Sequence, residues 1–327
     1  MNMGMSTHMS GPMWMPMAPP TLERLIAWHP QPLPLEPVLC LFALAGYAAG
    51  VLRLRRRGDR WPPLRTAAWT AGVAACAAVT CTGVGGYGME MFSVHMVQHM
   101  VLSMLAPILL LLGAPLTLAL RALPAAGRGR TGPRELLVRL LHSRFARVVS
   151  SPLFTLPLFI ASLYGLYFTP LFDLAMRSWL GHEIMLAHFV AVGLLFFWPI
   201  VGADPAPHRP AHPLRMLELF MGMPFHAFFG IAVMMAGAPI VGFFAHPPGS
   251  LHLNVVSDQT TGGGIAWAFG EVPTMLVLAA LFAQWYRDDV RRAARTDRQA
   301  VRDDDAELAR YNAYLGRLSA SDRTERA

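Results

Sequence analysis

The chain has no lysine. All 27 basic residues are arginine, and charged residues of both signs make up only 14% of the 327 positions, against about 25% in ordinary globular domains. With 54% hydrophobic residues, so little charge excludes a conventional soluble domain. The arginines are confined to a few loops, which excludes the spread basic face or arm of a nucleic-acid binder. Cysteine is scarce too. Cys40, Cys76 and Cys81 form no CxxC pair, so neither a disulfide framework nor a zinc site is indicated, and they read as small buried hydrophobes. The first twenty residues have no basic start and no continuous apolar core, so they are not read as a signal peptide. There is no nucleophile–base motif for hydrolysis and no phosphate-binding glycine loop.

What the chain does have is long apolar blocks. Seven of them, at 36–53, 65–84, 94–120, 152–170, 182–201, 215–242 and 265–286, are long enough to cross roughly 30 Å of hydrocarbon. The expected fold is all-α, a polytopic transmembrane helical bundle of seven spans. Arginine distribution orients it: 25 of the 27 fall in alternate connections and the C-terminal tail, while Arg24 and Arg177 alone lie on the other side. That partition places the N-terminus outside and the C-terminus in the cytoplasm. The expected organisation is an extracytoplasmic Met/His-rich tail (1–35), a membrane domain (36–286) and a charged cytoplasmic tail (287–327). Leu136, Leu137, Leu140 and Leu141, among arginines, are suited to rest on the lipid surface. Pro107, Pro115, Pro224, Pro239 and Pro273 fall inside the expected spans and each removes a backbone hydrogen bond there.

The orientation sorts the histidines. His142, His208 and His212 are cytoplasmic; the rest lie outside or in outer halves of spans, with His226 near mid-membrane, two residues past Pro224. Imidazoles within a bilayer are costly and mark candidate sites. His95 and His99 share one helix face, with Met96 and Met100 on an adjacent stripe. His182, Met185 and His188 open the fifth span at similar depth. Imidazole with thioether and little carboxylate is a ligand set for copper, above all Cu(I). The tail adds Met3, Met5, His8, Met9 and Met13 outside the cytoplasm. Glu271 in the seventh span and Asp258 before it are further polar candidates, the former as a partner that holds a ligating imidazole. The bland alternative is that these histidines bond to backbone carbonyls or to one another.

At these residues the sequence resembles the bacterial cytochrome c oxidase assembly factor CtaG family, of the seven-helix type. The matching stretches are His95-Met96-Val97-Gln98-His99-Met100 running to Leu112-Gly113-Ala114-Pro115-Leu116, then His182 to His188 running to Phe197-Trp198-Pro199 and Asp204-Pro205. Met223-Pro224-Phe225-His226-Ala227-Phe228-Phe229-Gly230 and Asp258-Gln259 with Gly262-Gly263, Trp267, Gly270 and Pro273 complete the set. Thr260, Thr261 and Gly264 depart from the family, which often has aromatic residues there, and the Met-rich start is not a family hallmark. The resemblance implies a multi-pass protein of the bacterial cytoplasmic (inner) membrane that assists assembly of a haem–copper oxidase, with oxidase subunits and the lipid bilayer as partners. Together with the ligand argument it suggests a metallochaperone, not an enzyme, in which Cu(I) passes from the tail to His95, His99, His182 and His188. Two alternatives stand beside it: a cytochrome b-like carrier with haem held by paired histidines, and a copper transport or resistance permease, which requires ligands on both membrane faces.

Overall fold

Apolar runs that cannot give their backbone groups to water close them internally, as helices. The computed structural model, which describes residues 10–127, 130–207, 210–302 and 306–325, accordingly contains helices and no strand among those residues. A helix stands at each of the seven expected segments. These are α1 (Leu35–Arg56), α2 (Pro63–Thr80), a broken third helix, α6 (Pro152–Tyr167), α7 (Trp179–Val201), α8 (His212–Met235) and α9 (Val255–Arg302). The third comprises α3 (Phe92–Met100), a π-helical turn at Val101–Leu105, α4 (Ala106–Leu112) and α5 (Pro115–Ala122). Five of the seven are long and apolar enough to cross a membrane; α2 and α6 fall short in hydropathy or length.

Three boundaries differ from expectation. Helix α8 stops at Met235, so Pro239 lies in the following irregular segment and not in a span. Helix α9 begins at Val255, which puts Asp258 and Gln259 in its first turns and not ahead of it. Arg215, counted with the loop arginines although it opens the expected sixth span, is no loop arginine. It lies inside α8, buried, with its guanidinium donating to the Ile200 carbonyl. The chain forms two compact units whose boundary lies within α9, between Leu278 and Ala279; a further helix, α10 (Ala306–Glu325), lies in the second.

The breaks in the third helix have local causes. Pro107 has no N–H to offer the Ser103 carbonyl, and the ladder widens into the π turn just before it. Ala114 then takes a left-handed conformation (φ 51°), and α5 restarts at Pro115 with Asp204 as its acceptor. The Asp204 carboxylate takes the Leu116 and Thr117 N–H groups at 3.0 and 2.7 Å and the Thr117 hydroxyl at 2.6 Å. This remote cap offsets the orphan donors of a helix start.

Helix α7 packs along the π turn and α4, and α2 packs on α4 from another side. The α7 approach is set by Gly193: a Cβ there would stand 2.2 Å from the Ser103 carbonyl oxygen and 2.6 Å from Pro107 Cγ. The carbonyl freed by Pro107 is thus the surface against which α7 lies. Gly230 of α8 and Gly263 of α9 meet in the same way, each Cβ position being 2.8 Å from the other's carbonyl oxygen. Small residues at such crossings are how helices pack closely without a hydrophobic driving force. Gly193→Ala is therefore expected to destabilise the protein in detergent by about 1–3 kcal/mol. Gly165→Ala, whose added methyl meets open space within α6, should leave stability equal or higher by up to about 1 kcal/mol; unfolding curves of the two variants check both.

Candidate metal centre

The site is built outward from α3. Asp258 of α9 accepts from the Ser93 backbone N–H at 3.2 Å and from the Ser93 hydroxyl, which caps the start of α3 from across the bundle. Gln259 holds the chain after α8: its amide donates to the Ala238 carbonyl at 3.1 Å and its oxygen accepts from Ile240 N–H at 2.8 Å. Asp258 thus serves to position the helix that carries His95 and His99.

Helical spacing puts those two imidazoles on one buried face. His95 Nε2 pairs with the Tyr167 hydroxyl at 2.9 Å, inside an aromatic enclosure of Phe172, Phe189 and Phe244. One turn deeper, His99 faces His226 of α8 with ring centroids 6.5 Å apart and nearly parallel. Neither ring nitrogen of His99, nor Nε2 of His226, has a hydrogen-bond partner among the described residues. The two rings line a small cavity of about 10 Å³ with Ser103, Ser162 and Phe159. Ser162 in turn bonds His188 Nε2 at 2.6 Å, so His188 reaches the cavity wall through a hydroxyl.

His182 lies apart from this group. At the start of α7 it is buried, 3.8 Å from the Glu183 carboxylate, and does not line the cavity. Met96, Met100 and Met185 are buried, yet none lines it either. The four expected histidines therefore share one region without forming one ligand set, and no three His, Cys, Asp or Glu groups converge on a metal position among the described residues. Glu271 is half-buried beside Gly270, against which the His226 ring packs; His226 Nε2 being unpaired, it receives no bond from Glu271 there. Met3, Met5, His8 and Met9 lie outside the described residues. Met13 is half-buried, in a stretch that packs on the bundle: Trp14 stacks on His29 at 3.7 Å, and Tyr87 donates to the Ala18 carbonyl at 2.8 Å.

Sequence reasoning missed two members of this environment and left a third, His226, as a polar candidate outside the ligand set. Tyr167 and Ser162 gave only a weak signal, as hydroxyls in a helix facing imidazole-bearing ones. His226 was placed at mid-membrane but kept out of the ligand set, because spacing along a chain does not show which helices face each other.

Glu90, in the turn ahead of α3, is buried, and loss of water pushes its carboxyl up to about 7. The folded state thus holds this proton more tightly than the unfolded chain, whose value is about 4.3. The stabilising effect is complete below that value and is lost as pH rises through 7. Glu90→Gln should raise the melting temperature at pH 8 and leave it nearly unchanged at pH 4, which melting curves at the two pH values measure.

Comparison with known proteins follows the same lines. Residues 45–288, most of the chain, match the family model described as cytochrome c oxidase caa3 assembly factor. Uncharacterised proteins of Mycobacterium bovis and Mycobacterium tuberculosis are each 48% identical over 305 residues, covering 92% of this chain and 46% of theirs. One of Mycobacterium leprae is 48% identical over 279 residues, covering 84% of this chain and 42% of its own. The chain thus spans about half the length of the curated relatives it matches. No solved structure matches it. The broken third helix, its imidazoles, α7, α8 and the first part of α9 with Asp258 fall within the matched region, and the chain belongs to the cytochrome c oxidase caa3 assembly factor family.

Proposed function

We propose that this chain assists oxidase assembly by holding Cu(I) as cargo on the extracytoplasmic side of a bacterial cytoplasmic membrane and passing it to an oxidase subunit. It acts as a binder and not as a catalyst. The observation that carries this reading is His99, buried at 3% exposure with both ring nitrogens unpaired and facing His226 across a small cavity. An unsatisfied buried polar group costs about 1–3 kcal/mol, and a soft cation accepting the imidazole lone pairs removes that cost. His95 and His188, within electrostatic range of His99, extend the site outward and sideways.

The cavity of about 10 Å³ suits a single small ion. A haem needs a pocket of roughly 300 Å³ or more, and the packing of Phe159, Phe189 and Leu163 around His99 and His226 leaves no such space, so the packing favours an ion over a porphyrin. The asymmetric depth of the histidines favours a handover site over a transmembrane pathway. Seven spans with the N-terminus outside fit the arginine distribution and bring His95, His182 and the Met/His tail to the same side. Reporter fusions after Ala122 and after Arg302 should both read as cytoplasmic, and one after Pro248 as extracytoplasmic.

Cu(I) competition titration of detergent-purified protein tests the site. His99→Ala and His226→Ala should each weaken binding beyond the roughly 10–100-fold that loss of an outer partner costs, and should lower copper loading of the oxidase in cells. His142→Ala, in the segment between α5 and α6, serves as the unaffected control. Unchanged affinity in both site variants would falsify the imidazole site.

A further inference from the structure

Between α1, α2 and α7 lies a groove of about 420 Å³ in which the imidazole site has no part. Helical spacing builds it. Glu36, Leu39 and Ala43 follow one face of α1, while Glu183, Ala191 and Leu194 follow one face of α7. Leu39 and Ala191 are exposed, so the groove opens sideways from the bundle. Glu36 lies in the first turn of α1 and Glu183 near the start of α7. The groove therefore has an apolar length and acidic groups where the two helices begin.

Those carboxyls are buried, each 9% exposed. Glu36 Oε2 and Glu183 Oε1 have no hydrogen-bond partner among the described residues. No arginine lines the groove. His182 Nδ1, 3.8 Å from Glu183 Oε1, is too distant to donate. The Thr80 hydroxyl is already given to the Cys76 carbonyl at 2.9 Å. A carboxylate withdrawn from water needs a partner, and the walls supply none to these oxygens.

The dimensions select the guest. From Glu183 to Leu194 the groove runs about 16 Å along α7, which with its volume gives a mean width of about 6 Å. A helix of another protein, about 10–12 Å across with its side chains, does not fit. A single hydrocarbon chain, about 4 Å thick, does.

We infer that the groove is a lipid site selective for a primary-amine headgroup. One acyl chain of an aminophospholipid lies along α1 and α7, and its ammonium donates to the free oxygens of Glu36 and Glu183. An ammonium offers three N–H donors and a positive charge to two carboxyls, and charge-assisted bonds of this kind are the strong ones. A quinol head offers single hydroxyl donors and leaves acidic charge uncompensated. The bound lipid bridges α1 to the end of α7 that carries His182.

The test is native mass spectrometry of the delipidated full chain in detergent, with phosphatidylethanolamine and phosphatidylcholine of identical acyl chains. The two headgroups carry the same charge, but the methylated nitrogen of phosphatidylcholine has no N–H to donate. The wild type should prefer phosphatidylethanolamine by about tenfold or more, the scale of a hydrogen bond to a charged group. The Glu36→Gln/Glu183→Gln double variant should bind both lipids nearly equally. Ala191→Trp, which fills the groove, should bind neither. Equal binding of the two lipids to the wild type, which needs no substitution, overturns the inference, as does a preference that survives in the double variant. It is overturned, too, if neither lipid binds the wild type and a short-chain quinol does, the groove being then a quinol site.

Discussion

Helix α7 lies against the broken third helix at Gly193, where the backbone of one meets a carbonyl of the other that Pro107 has left without its helical partner. Much of the site's geometry follows from that contact. It sets the distance between the helices that carry His95 and His99 and those that carry His182 and His188. It also lets the π turn persist directly after His99, by giving the displaced backbone a packed surface in place of lipid. π turns inside α-helices are often found at functional positions, and here the turn separates the imidazole-bearing segment from the aliphatic one.

The polar groups inside this bundle fall into two kinds. One kind is used to join elements: Asp258 with Ser93, Asp204 with the start of α5, Gln259 with the segment after α8, and one oxygen of Glu218 with the Thr155 hydroxyl at 2.6 Å. Each joins a helix to a neighbour distant in sequence. The exceptions among the described residues include ring nitrogens of His95, His99, His182 and His226, carboxylate oxygens of Glu36, Glu183 and Glu218, and the indole N–H groups of Trp179 and Trp198. Buried polar atoms without a partner require an explanation. Those of His99 and His226 share one small cavity, while His182 lies apart from it.

Length and hydropathy were enough to read the helical class and to place a helix at each of the seven expected segments, because a bilayer-scale apolar run has few alternative folds; the extent of α9, from Val255 to Arg302, was not read. The motif residues around His95, His99 and Asp258 identified the family for the same reason that they shape the site. Other features were not legible. The pairing of His99 with His226, and the displacement of His182 from them, depend on which helix faces which, and helical spacing fixes faces but not neighbours. Arg215 looked like a loop residue because a buried arginine is rare; its place within α8 depends on the carbonyl of Ile200, which sequence does not point to. The cysteines, at positions 40, 76 and 81, carried no spacing signature.

Ser10 exchanges backbone hydrogen bonds with Arg177 and Trp179, at 3.0 and 2.9 Å, at the very start of α7. Whatever residues 1–9 bind is therefore leashed to a point three positions before His182. Nine residues extend at most about 30 Å, so a ligand caught there is confined to a volume that corresponds to a local concentration on the order of millimolar. Under the proposed role, a cargo scarce in the surrounding compartment is never dilute at this end of α7.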